Sequence, residues 1–122
     1  MKRLTLLLVV LLLTGLGWAE RQQQIKFAPG KSSASLQGGL ARGETMRYLL
    51  DANKGQTMSV SLTSVEHNAV FEVLSDAGSM GRSKLVDGYQ EWTGKLPIRG
   101  TYAIVVGSER GGAEFTLDVS IR

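Results

Sequence analysis

The chain has 122 residues, with 14 Lys and Arg against 11 Asp and Glu, and no cysteine. Two of the cations, Lys2 and Arg3, precede an apolar run, and the remainder carries 12 basic and 11 acidic groups, a formal +1. Near-neutrality with Lys and Arg scattered singly along the sequence predicts no nucleic-acid footprint, and the missing cysteine excludes both a disulfide framework and a lipid anchor on an N-terminal thiol.

Residues 1–19 read as an address. Lys2 and Arg3 form a positive start, Leu4 to Leu13 is apolar apart from Thr5, and Gly17-Trp18-Ala19 puts small residues where a signal peptidase reads, predicting cleavage between Ala19 and Glu20. The apolar run is too short for a membrane span, which takes about 20 residues. The expectation is an exported protein, periplasmic or secreted, with no membrane association after cleavage. Residues 20–122 are then one domain, long enough to bury about 65% of its unfolded surface.

From there the period is two. Gln22–Phe27 and Ser32–Gln37 are weak strand candidates, and Thr45–Leu50 is a clearer one. In "QTMSVSLTS" Met58, Val60 and Leu62 alternate with polar residues, predicting a strand with one wet face. Val70–Ser75 follows. Ser79–Glu91 is irregular and reads as a long loop crossing from one sheet to the other. Trp92, just before Gly94, is assigned to the core. Tyr102–Val106 is apolar on both faces, which predicts a central strand, and "AEFTLDVSIR" alternates through Phe115, Leu117, Val119 and Ile121. Turn signals ("ANKG", "SDAG", "VDG", "IRG", "SERGG") recur about every ten residues. Together these predict an all-β fold, an antiparallel β-sandwich of about seven to eight short strands, in preference to a small barrel.

Catalytic groupings are sparse. His67 is the sole histidine and no Ser lies in a Gly-x-Ser-x-Gly turn. One His and no Cys make a poor zinc set, and the dense Asp-x-Asp spacing of a calcium loop is missing. "GGLARG", Gly38 to Gly43, precedes a strand where a phosphate loop precedes a helix. No cofactor, metal or enzymatic activity is expected. What remains is recognition by surface groups: Arg99, Tyr102, Trp92, Arg110 and the Arg82/Lys84 pair are of types enriched in protein hot spots.

The ordered residues resemble a known family. "IKFAPGKSSASLQGGLARGETMRYLLDANKGQTMSVSL" is similar to the opening of the periplasmic inhibitor of g-type lysozyme family and of the broader pre-peptidase C-terminal-like sandwiches, through Phe27, Gly30, Ser32-Ser33-Ala34, Tyr48, Ala52, Lys54-Gly55-Gln56, Val60 and Leu62. "LPIRGTYAIVVGSERGGAEFTLDVSIR" resembles both through Leu96-Pro97, Gly100, Tyr102, Val106, Arg110 and the closing alternation. The inhibitor family implies a protein that plugs a lysozyme's substrate cleft with a Ser-Gly-x-Tyr or Ser-Gly-x-x-Tyr loop and nearby arginines. Here Arg99 fills the Ser position and Tyr102 is matched.

The expectation is an exported, non-catalytic binding protein, most concretely an inhibitor of g-type lysozyme; the alternative is a pre-peptidase-like accessory sandwich binding an envelope protein or a cell-wall glycan. The candidate partner-binding residues are Arg99, Gly100, Tyr102 and Arg110. Gly100 is expected to supply the turn, and Tyr102 to be held by a loop carbonyl as corner tyrosines are. Arg99 and Arg110 are expected to flank one end of the sandwich and reach the catalytic carboxylates together.

Overall fold

The computed structural model describes residues 20–76, 78–82, 84–86 and 89–122. The predicted signal segment, 1–19, lies outside them. Ten strands follow in order: β1 (Glu20–Gln24), β2 (Ser33–Leu40), β3 (Thr45–Ala52), β4 (Thr57–Ser64), β5 (Ala69–Ser75), β6 (Gly78–Arg82), β7 (Lys84–Val86), β8 (Tyr89–Lys95), β9 (Gly100–Ser108) and β10 (Ala113–Ile121). They form two five-stranded sheets, β1-β3-β9-β5-β6 and β2-β10-β4-β8-β7. The all-β sandwich is as expected, and every pairing is antiparallel except that of β1 with β3, which runs parallel from Glu20 opposite Thr45.

The alternation decides which face each strand buries. In β4, Met58, Val60 and Leu62 point inward, and in β10 Phe115, Leu117, Val119 and Ile121 meet them from the neighbouring strand. The facing sheet supplies Tyr48, Leu50, Phe71, Val73, Tyr102, Ile104 and Val106. Each fully buried aliphatic side chain of this kind stabilises by about 1.5–3 kcal/mol. Tyr48 and Phe115 meet edge-to-face across the sheets, ring centroids 6.4 Å apart and planes at 87°, the arrangement aromatic quadrupoles favour. β9 is the middle strand of its sheet, bonded to β3 on one side and β5 on the other, as its two apolar faces predict.

The strand count exceeds the predicted seven or eight because Ser79–Glu91 is not a loop. β6 continues β5 as a hairpin with a register shift between Val73 and Leu74, and β7 pairs with β8. The segment does cross between sheets, from β6 in one to β7 in the other. Neither short strand alternates in sequence, so periodicity could not find them.

At each long side of the sandwich one side chain reaches from sheet to sheet. On one, the Arg21 guanidinium of β1 donates to the Gly39 carbonyl of β2 and lies 3.9 Å from the Glu44 carboxylate. On the other, Trp92 of β8 spreads its indole over Gly81 of β6 and Gly94 of its own strand, half-buried against the core. A Cβ at either glycine would overlap the ring.

Gly94→Ala is expected to push the Trp92 ring outward, lowering unfolding free energy by about 1–3 kcal/mol as overpacked cores do and shifting tryptophan emission to the red; an unchanged urea midpoint and spectrum would refute the packing described. Burial raises the Tyr48 phenol above its usual value, with the Arg21 cation offsetting part of the rise. A folded-state pKa above the unfolded one means that Tyr48's share of stability is whole below about pH 10 and is lost as pH rises through the raised value. Urea midpoints from about pH 9 to 11.5 should therefore fall more steeply in the wild type than in Tyr48→Phe.

Candidate functional site

The connections between strands gather at two ends. One end holds the β1–β2 connection, the Asn53–Gln56 turn and the Leu96–Arg99 turn. The other holds the loops between β2 and β3, between β4 and β5 (Val65–Asn68), and between β9 and β10 (Glu109–Gly112). β9 runs from the first end to the second, and its nine residues span about 27 Å at roughly 3 Å per residue.

Arg99, Gly100 and Tyr102 lie at the first end. Tyr102 is entirely buried: its hydroxyl donates to the Ile98 carbonyl at 2.6 Å and accepts from the Ile98 N–H at 3.3 Å. The ring thus anchors the turn four residues upstream, in the manner of a tyrosine corner. The same turn is tied to its neighbour, since Leu96 N–H donates to Gln56 O and Gly55 N–H to Leu96 O, both at 2.8 Å. Gly100 sits at φ +154°, a conformation L side chains rarely adopt. Arg99 is exposed at the edge of a groove of about 480 Å³ shared with Phe27, Lys31, Asp51 and Asn53.

Arg110 lies at the second end. The expectation that Arg99 and Arg110 flank one end is therefore corrected: the whole length of β9 separates them, because an extended strand turns eleven residues of sequence into most of the height of the domain. Among the other residues singled out, Trp92 closes a side of the sandwich, and the side chains of Arg82 and Lys84 lie outside the described parts.

The second end is organised by a residue that sequence reasoning passed over. Asn68 is 2% exposed, and its Nδ2 donates to the carbonyls of Arg110 and Gly112, both at 2.8 Å, and to Ser108 Oγ at 3.3 Å. Its backbone carbonyl accepts from Glu109 N–H at 2.8 Å. Ser64 Oγ accepts from the N–H groups of Asn68 and Ala69, and Ser108 Oγ accepts from Arg110 N–H and donates to Arg110 O. One buried amide thus binds the Glu109–Gly112 loop to the Val65–Asn68 loop. Asn68 Oδ1 has no hydrogen-bond partner among the described residues.

On this rigid base stand groups suited to a protein partner. The exposed Arg110 side chain is steadied by donation to the Glu66 carbonyl at 3.2 Å. Val65 is 73% exposed, the one large hydrophobic left so among the described residues. His67 takes φ 56°, a left-handed conformation costing about 1–2 kcal/mol, and persists because the loop around it is fixed. Among the described residues no group of three or more His, Cys, Asp or Glu could hold a metal.

Asn68→Ala is expected to cost about 1–3 kcal/mol, since it removes the donor shared by the Arg110 and Gly112 carbonyls and Ser108 Oγ and leaves the Gly112 carbonyl without that partner. Amide exchange at Glu109–Gly112 should accelerate with it; a loss of stability without faster exchange there would show that Asn68 does not order the loop.

No protein-family model matches the chain, and no curated protein matches it in sequence. Solved structures do. A periplasmic lysozyme inhibitor of g-type lysozyme from Aeromonas hydrophila, PliG, shares 32% identity at a TM-score of 0.78, over 87% of this chain and 100% of that one. The PliG of Salmonella Typhimurium (20% identity, TM-score 0.66, 84% of this chain and 98% of that one) and the pre-peptidase C-terminal domain of a Bacillus anthracis collagenase (12%, 0.63, 87% and 97%) share the fold. With 87% of its length matched at 32% identity to the whole of the Aeromonas protein, the chain belongs to the family of periplasmic lysozyme inhibitors of g-type lysozyme.

Proposed function

We propose that this protein is a periplasmic inhibitor that binds a g-type lysozyme and blocks its substrate cleft, docking through the end that carries Arg110 and Val65. The observation that supports the activity is the 32% identity to the Aeromonas hydrophila inhibitor across that protein's full length. The choice of end rests on the Asn68 network. A loop whose backbone is already fixed loses little conformational entropy on binding, and Arg110 and Val65 place a planar cation beside exposed apolar surface, as hot spots do.

A glycoside hydrolase generally works with a pair of carboxyl groups. Arg110, held at its base by the Glu66 carbonyl, offers donors that match such a carboxylate in two parallel hydrogen bonds. Once water is displaced from the cleft, that charge-assisted pair is the strongest single contact this end can make. Arg99, on the far end, cannot enter the same cleft. Gly100 and Tyr102 shape the turn that presents Arg99.

Lysis of a peptidoglycan suspension by g-type, c-type and i-type lysozymes, with and without the protein, tests the reading. Selective protection against the g-type enzyme is expected. Arg110→Ala should weaken inhibition by about 30-fold or more, the loss of roughly 2 kcal/mol that marks a hot spot, while Arg99→Ala changes it by less than about threefold. A larger loss with Arg99→Ala would move the docking surface to the other end, and no protection by the folded protein against any lysozyme would remove the inhibitory function.

A further inference from the structure

The two ends differ in charge, although the chain as a whole is nearly neutral. At the Arg99 end the backbone gathers Lys26, Lys31, Lys54, Lys95, Arg99 and Arg122, all exposed. Their grouping is imposed by the fold. Thr57, paired with Lys95, exchanges backbone hydrogen bonds of 2.8 and 3.0 Å with Arg122. Ile121 N–H donates to Ser32 O at 2.9 Å, which brings Arg122 beside Lys31, and Gly55 N–H donates to Leu96 O at 2.8 Å, which brings Lys54 beside Lys95. The carboxylates at this end among the described residues are Asp51, which accepts from Thr101 Oγ1 at 2.6 Å, and Asp76. None of the six cations forms an ion pair with a described residue. At the other end Arg21, Arg42 and Arg110 are balanced by Glu44, Glu66, Glu109 and Glu114.

The basic rim opens onto a face of hydroxyls. On the outer side of the second sheet, Ser33, Ser120, Ser59 and Thr93 stand in register on four adjacent strands, with Thr93 Oγ1 donating to Ser59 Oγ at 3.2 Å. At about 4.8 Å per strand this row extends roughly 14 Å. A second row holds Ser35, Asp118, Ser61 and Glu91. A shallow groove of about 660 Å³ runs over both rows and reaches Lys31.

We infer that this hydroxyl face and its basic rim form a second binding site, for an anionic glycan: a polysaccharide strand whose sugars lie across the Ser33–Ser120–Ser59–Thr93 row while carboxylates on it meet Lys31, Lys95 and Arg122. Rows of paired donors and acceptors suit sugar hydroxyls, and several exposed cations supply a salt-sensitive attraction that no single ion pair gives. A lipid surface is disfavoured because the exposed large hydrophobic side chain among the described residues, Val65, is at the opposite end. Asp118 and Glu91 lie one row in from the rim, so the glycan's uncharged hydroxyls lie over them and its carboxylates at the rim cations, whereas a phosphate chain, charged at every unit, would be repelled there. The site is separate from the Arg110 end, so it stands or falls independently of lysozyme inhibition.

Sedimentation of the protein with purified peptidoglycan sacculi, without lysozyme, tests the site; uncharged chitin and phosphatidylglycerol vesicles are the other arms. The protein should pellet with sacculi and with neither of the others. Lys31→Gln/Lys95→Gln/Arg122→Gln together, all at exposed positions, should weaken pelleting by about tenfold or more, as should raising salt from about 20 to about 300 mM. Ser59→Val/Ser120→Val should weaken it several-fold at unchanged charge, which simple ion exchange would not show. Absence of pelleting at low salt, equal pelleting by the triple variant of unchanged melting temperature, or equal capture by the vesicles would each overturn the proposal.

Discussion

With no cysteine in the chain, the two sheets are held together by the exclusion of water from the space between them, and everything else in the molecule is referred to that contact. Met58, Leu62, Ile104, Val106 and Leu117 have no exposure at all, so the inner faces of β4, β9 and β10 cannot slip by one residue without turning a full set of apolar side chains into solvent. Register is thereby fixed along these three strands, and with it the points at which they hand the chain to the connecting loops. The side closures by Arg21 and Trp92 then act on a frame that is already set.

Each end of that frame is finished by one buried polar side chain that hydrogen-bonds backbone groups of a nearby turn. Tyr102 does this at one end and Asn68 at the other. The two solutions differ in reach. The tyrosine serves a turn four residues away, whereas the asparagine joins segments more than forty residues apart. A loop held from outside its own sequence keeps its shape when its side chains are engaged elsewhere, which is what recognition by a rigid surface requires.

This difference also explains what could be read from the amino-acid sequence. The alternation in β4 and β10 and the double-sided hydrophobicity of β9 were legible because a sandwich core rewards a period of two. Tyr102 was legible because its partner is local. β6 and β7 were not, since "GSMGR" and "KLV" are too short to show a period and are strands only because β5 and β8 offer them edges. Asn68 gave no signal at all, its partners being distant in sequence and its burial a property of the assembled loops. The placement of Arg99 and Arg110 was not legible for the same reason: only the assembled fold shows that the strand between them is extended and carries them to opposite ends.

The separation of charge along β9 gives the protein a directed electric dipole despite its small net charge. A body of this kind experiences a torque in the field of any anionic surface and approaches it basic end first, so the end whose charges are balanced faces away into the surrounding fluid. Encounter with a charged matrix therefore sorts orientations before any contact forms, and the Arg110 loop is turned toward whatever diffuses past.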